Sequence, residues 1–259
     1  MPALEYPTPR GKSRLVEAPP VPFGGLLPGR FLGRRNRFAA TVAIGGVSRL
    51  VHVPNSGRLR ELLRPGAAVR VRPAPPGAAR RTAGDLCLVR HAGTWVCVDN
   101  RVAVAVVAAA LGAGWVPGLS GWRVLRREVR VGRHRFDLLL GRDRRRALCE
   151  VKSVTLVEAG VARFPDAPTA RGTAHMKTLG ARARRGGAAV VCFLIQRPDA
   201  AALVPHAVHD PAFAAACRTA ASGGVLLRAY TCRVTPGGIA LARRVPVRLG
   251  GPARPGSHS

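Results

Sequence analysis

Acidic residues, lysine and aromatic rings are the scarce groups in this chain of 259 residues. Asp and Glu number 13 against 42 Lys and Arg, aromatics are 5%, and lysine occurs only at Lys12, Lys152 and Lys177. The shortage of acid leaves a formal net charge of +29 and a pI near 11.9. A GC-rich genome explains arginine in place of lysine, but not so few acids. The excess therefore points to polyanionic partners, whose encounter such a field accelerates and whose phosphates it neutralises, with a membrane surface as the minor alternative. So few rings argue against a protein that grips several stacked bases, and leave backbone contacts by arginine as the source of affinity. No CxxC pair occurs among Cys87, Cys97, Cys149, Cys192, Cys217 and Cys232, which excludes a zinc ribbon and leaves buried reduced thiols. The longest apolar run, Val102 to Ala113, is too short to span a bilayer, and the proline-rich start has no apolar signal segment. A cytoplasmic protein with no membrane contact is expected.

What is present divides into two blocks, with residues 1–20 as a flexible lead-in and 250–259 as a flexible tail. From 21 to 93, strand signals at Arg37–Ile44, Val47–Val53 and Ala67–Arg72 are separated by Gly45-Gly46 and Pro65-Gly66, the pattern of a small β-barrel or sandwich. Pro54 to Leu63 between them suggests a loop running into a short helix. From 94 to 249 the pattern changes. A helix at Arg101–Leu111, capped by Asp99 or Asn100, precedes strands at Arg123–Val131, His134–Leu140 and Ala147–Leu156. A helix at Thr169–Arg185 and an apolar strand at Ala188–Ile195 complete an α/β unit, which a helix at Pro211–Ala221 and strands at Val225–Thr231 and Gly238–Ala242 extend.

The chemistry concentrates in two of those strands. Asp137 interrupts the apolar run Phe136-Asp137-Leu138-Leu139-Leu140, and Cys149-Glu150-Val151-Lys152-Ser153-Val154 follows a basic, turn-like segment, Arg142 to Arg146. Strand alternation puts Glu150 and Lys152 on one face. An ionised carboxylate inside an apolar strand is costly unless it is paired or binds metal. Two carboxylates for a hard cation, beside an ammonium that steadies a developing anion, form a recipe for metal-assisted phosphodiester cleavage. Lysine here is itself informative, because a position needing only positive charge would be arginine in this chain, whereas lysine is a compact point charge whose pKa moves readily. The plain alternative pairs Asp137 and Glu150 with arginines such as Arg135 on a solvated sheet face. Glu128 stands equally between third carboxylate and partner of Arg126, Arg127 or Arg130. His175, Lys177 and Arg171 on the second helix can present charge to phosphate, although a lone helical histidine is more often a satisfied structural group.

The strings Val53-Pro54-Asn55-Ser56-Gly57, Arg135-Phe136-Asp137, Glu150-Val151-Lys152-Ser153-Val154-Thr155-Leu156 and Phe164-Pro165-Asp166-Ala167-Pro168-Thr169-Ala170-Arg171-Gly172, with His175, resemble the sugar fermentation stimulation protein A family. The likeness runs in order from about residue 25 to 248. It implies an OB-like β-barrel at 21–93 that binds nucleic acid, and a restriction-endonuclease-like αβββαβ core of the PD-(D/E)xK type at 94–249. It further implies that Asp137 and Glu150 ligate Mg²⁺ or Mn²⁺ with the carbonyl of Val151, and that Lys152 orients or activates the attacking water. Arg171 and His175 would flank the site as phosphate contacts, with Asn55, Arg58 and Lys177 contributing to nucleic-acid binding. Family members often carry an acid at the position of Ala170 and Asn-Arg at Val104-Ala105, so this chain departs from the pattern there. The expected activity is a metal-dependent nuclease acting on DNA, with RNA as the alternative polymer. The rival reading is a non-enzymatic DNA-binding protein that regulates sugar-utilisation genes, and a weaker third is a general RNA-binding protein.

Overall fold

The computed structural model describes residues 18–250. The expected lead-in and tail therefore lie largely outside the described residues. Where the chain enters, Ala18 and Phe23 are buried in the core of the α/β part, and β1 (Val21–Pro22) pairs with the last strand of that part. Val21–Pro22 thus join the second domain's sheet, with Ala18 and Phe23 in its core, a correction to a barrel beginning at 21.

The barrel is built from β2 (Leu27–Asn36), β3 (Ala39–Ile44), β4 (Val47–His52), β5 (Ala68–Pro73) and β6 (Gly84–His91), in the order β4-β3-β2-β5-β6. A pairing of β4 with β6 closes the ring. Inside lie Phe31, Val42, Val51, Val69, Val71, Leu86 and Val89, the inward set of each alternating strand. An appended strand, β7 (Thr94–Cys97), pairs with β6 through a Gly93 turn at φ 77°. The expected boundary at 93/94 would have cut this hairpin. The segment after Pro54 forms turns in place of the expected short helix, with Leu62 and Leu63 both bonding back to the Leu59 carbonyl.

A 3₁₀ turn at Asn100–Val102, capped by Asp99, leads into α1 (Ala103–Gly112). Then come β8 (Arg123–Val131), β9 (His134–Arg142), β10 (Arg145–Val154), the short β11 (Val157–Glu158) and β12 (Val161–Phe164), α2 (Ala170–Arg184), β13 (Ala188–Ile195), β14 (Ala202–Pro205), α3 (Pro211–Ser222), β15 (Leu226–Thr235) and β16 (Gly238–Val245). The main sheet has the order β1-β16-β15-β13-β10-β9-β8, with β10, β13 and β15 mutually parallel. β11, β12 and β14 form a separate small sheet. One face packs on α1, through Val106, Val107, Leu138, Cys149 and Cys192, and the other on α2 and α3, through Leu148, Met176, Phe193 and Phe213. Near-continuous burial along β13 is what helices on both faces require. The result is the expected OB-like barrel followed by an α/β core of order αβββαβ, with a β11–β12 hairpin before the second helix.

Several strands begin or end away from their expected limits. β10 runs from Arg145, so the solvated turn shrinks to Asp143-Arg144, with Asp143 at φ 51°. All six cysteines are buried and free. No helix among the described residues is long and apolar enough to cross a membrane.

Candidate functional site

β9 and β10 pair from the Arg142–Arg145 end down to Leu138 opposite Cys149, and there the ladder stops. Beyond that point β9 remains paired with β8 while β10 remains paired with β13. Where the strands part, the Val151 N–H donates to Asp137 Oδ2 at 2.7 Å, a side chain replacing a lost ladder partner. Alternation then puts Glu150 and Lys152 on the α2 face, as the strand pattern predicts. Lys152 Nζ donates to Glu150 Oε1 at 2.6 Å, and His175 Nδ1 reaches the same oxygen at 2.7 Å.

The second carboxylate oxygen of Glu150 has no such partner. Oε2 is buried and accepts no hydrogen bond among the described residues. Burial pushes the Glu150 carboxyl up, but the hydrogen bonds from His175 and Lys152 outweigh it and hold the group below the usual carboxylate range. Asp137 goes the other way, raised to about 6, chiefly by burial and next by the neighbouring charge of Glu150, against the Val151 N–H. Two inward carboxylates, one with an orphaned oxygen and one whose charge is opposed by its surroundings, leave negative potential that a cation would satisfy. Among the described residues there is no group of three or more His, Cys, Asp or Glu able to hold a metal. Two carboxylates would fill only part of a divalent cation's shell, so water and backbone oxygen would have to supply the rest.

The site opens into a cleft of about 350 Å³ lined by Asp137, Val151, Lys152, Asp166 and Arg171, with Asn55 and Gly57 of the barrel opposite. Val104 forms part of this wall. Ala170 instead borders a separate hollow beside Thr169.

The remaining expectations divide. Arg171 is exposed and lines the cleft. His175 is only 1% exposed, packed against the rings of Phe136 and His134, so it orients Glu150 and is not a phosphate contact. Glu128 is exposed and lies 3.8 Å from Arg135, which removes it as a third carboxylate and removes Arg135 as the partner of Asp137. Lys177 faces hollows along α2 away from the cleft. Asn55 is buried and fully engaged, its amide donating to the Val98 carbonyl and its oxygen accepting from Gly57. Arg58 exposes its side chain beside the cleft, while its N–H donates to Asp166 Oδ2 at 2.9 Å. Asp166 and Gln196 escaped the sequence reading. Gln196, fully buried, accepts from Ser153 and donates to the carbonyls of Cys97 and Asp99, which fastens the barrel to the strand that bears Lys152. The Phe-Pro-Asp-Ala string was the available signal for Asp166; nothing local marks Gln196.

Residues 32–98 match the family described as the SfsA N-terminal OB domain, and residues 101–238 the family described as the Sugar fermentation stimulation protein RE domain. A Sugar fermentation stimulation protein homolog from Moorella thermoacetica is 43% identical over 236 residues, covering 91% of this chain and 100% of the relative. Another from Natranaerobius thermophilus is 42% identical over 226 residues, covering 86% and 94%. Among solved structures, Pyrococcus furiosus SfsA in complex with Ca²⁺ matches with a TM-score of 0.81 and 30% identity, over 90% of this chain and 99% of that one.

Proposed function

The chain belongs to the sugar fermentation stimulation protein family, and from that premise we propose that it is a divalent-metal-dependent nuclease hydrolysing phosphodiester bonds of DNA, with RNA as the alternative polymer. The observation that carries the reading is the buried, unpartnered Oε2 of Glu150 beside Asp137, at the point where two strands part under an open cleft. A family relative described as a Ca²⁺ complex supports a hard divalent cation at such oxygens.

Asp137 and Glu150 would hold the ion, with the Val151 carbonyl as a further donor. When bound, a divalent cation supplies Lewis-acid polarisation of a phosphoryl oxygen and lowers the pKa of a water. The protein's own groups do the rest. His175 and Lys152 both donate to Oε1 and so fix the Glu150 carboxylate with Oε2 free. Lys152, with its side chain 13% exposed, lines the cleft and can offset charge that gathers on phosphate. Arg171 offers a fork of donors from the cleft wall.

Purified protein with Mg²⁺ or Mn²⁺ is expected to nick supercoiled plasmid, with activity lost on chelation and cut by about 100-fold or more in Lys152→Ala. Metal-independent products, or an alanine variant as active as the parent, would count against the reading. A protein that only binds nucleic acid, the rival reading, would form no products and would bind DNA as well or better after Asp137→Asn and Glu150→Gln.

A further inference from the structure

The cleft has a neighbour. Across the barrel loop lies a groove of about 460 Å³, lined by Arg35, Arg37, Arg58 and Arg60, and the two hollows share Ser56 and Gly57 as a common wall. All four arginine side chains are exposed, and among the described residues none pairs with a carboxylate. Arg34, in the same groove, is different: its guanidinium donates to the carbonyls of Asn36, Arg37 and Arg58 and ties the β2–β3 turn to the loop. The loop is pinned from the other side by Asp166, which takes the Arg58 N–H. The wall between groove and cleft is thus a held element with unpaired guanidiniums on one side and Lys152 and Arg171 on the other.

Four unpaired cations gathered on one turn and one loop line a single groove, and cations in one groove suit one sugar-phosphate backbone. Phe38, on the same turn, exposes half of its surface, an aromatic face on which a base can stack. We propose that this groove is the track for one unpaired strand of nucleic acid, which crosses the barrel loop and enters the cleft. The proposal rests on the cleft's reading as a phosphodiester site and adds the substrate class: nucleic acid with a single-stranded segment.

Binding without metal separates the track from the chemistry. Fluorescence anisotropy of a labelled oligothymidylate, and of a duplex of equal length, is measured in chelator against three proteins. These are the parent, a groove variant with Arg35, Arg37, Arg58 and Arg60 all changed to Ala, and a control with Arg123, Arg144, Arg145 and Arg146 changed to Ala. The control removes the same charge from the start of β8 and the turn end of the β9–β10 hairpin beside it. The parent is expected to prefer the single strand. The groove variant should lose about tenfold or more in affinity, with its salt slope smaller by about 3, while the control stays within about twofold. Phe38→Ala should weaken single-strand binding several-fold with an unchanged salt slope. Equal losses in the two arginine variants, no loss in the groove variant, or tighter binding to the duplex would overturn the track. Failure of plasmid cleavage with these binding results intact would sink only the nuclease reading.

Discussion

A carboxylate oxygen buried without a donor is an expensive state, and Glu150 Oε2 occupies it while Oε1 receives two. That asymmetry gives His175 a positioning role. His175→Ala is expected to leave Glu150 free to rotate and to weaken Mn²⁺ binding by about 10- to 100-fold, measured calorimetrically, while His175→Gln recovers part of the loss. A second residue-level test concerns Asp85, which accepts from Arg80 and Arg101. Burial pushes its carboxyl up, but the two arginines prevail and bring it down to about 2. A depressed carboxylate stabilises the fold above its ordinary pKa and loses that contribution as pH falls through the folded value. Asp85→Asn should therefore cost about 1–2 kcal/mol at pH 7, discounted for the half-exposed Arg101, and the gap should close between pH 4 and pH 2 in urea titrations. The residues that carry charge chemistry were legible in the sequence: Asp137 and Glu150 broke apolar runs, and lysine was rare enough at 152 to be informative. The role of His175 was not, because it depends on which face of α2 meets β10, and a phosphate contact looks the same in one dimension.

At the scale of elements, the αβββαβ order was readable from its alternating helix and strand signals; Asp99 caps the 3₁₀ turn that leads into α1, while Thr169 and Asp210 accept from the first turns of α2 and α3. β2 was not named among the strand signals, and its residues explain why. Its sequence carries Pro28, Gly29 and Gly33 with arginines, which reads as loop, yet Gly29 is required because a Cβ there would meet Val42 on the adjacent strand β3 at 2.7 Å. The loop after Pro54 was expected to become helical from its leucines, but Leu59, Leu62 and Leu63 are spent on the barrel core. Its tight docking gives a further prediction. A side chain at Gly57 would collide with the Asp166 carboxylate and come within 2.9 Å of Asn55 Oδ1. Gly57→Ala should destabilise by about 1–3 kcal/mol, and combining it with Asp166→Ala should cost less than the two changes summed. Strict additivity in thermal melts would show that the loop does not press on Asp166.

For the whole molecule, two architectures meet at one cleft: the barrel supplies the Asn55–Gly57 wall and the α/β core supplies Asp137, Lys152 and Arg171. The sequence showed two blocks, but misplaced their seam, since β7 completes a barrel hairpin and Val21–Pro22 pair with the last strand of the other domain. Long-range joints of this kind, such as Gln196 with the carbonyls of Cys97 and Asp99, leave no local pattern to read. Net charge of +29 completes the picture at this scale, by drawing a polyanion toward a cleft whose own floor is acidic. The most direct test of that acidic floor is an anomalous difference map from crystals soaked in Mn²⁺. A single strong peak within coordination distance of Asp137, Glu150 Oε2 and the Val151 carbonyl is the predicted result. An empty cleft at saturating metal, or manganese bound only elsewhere on the surface, would contradict the account.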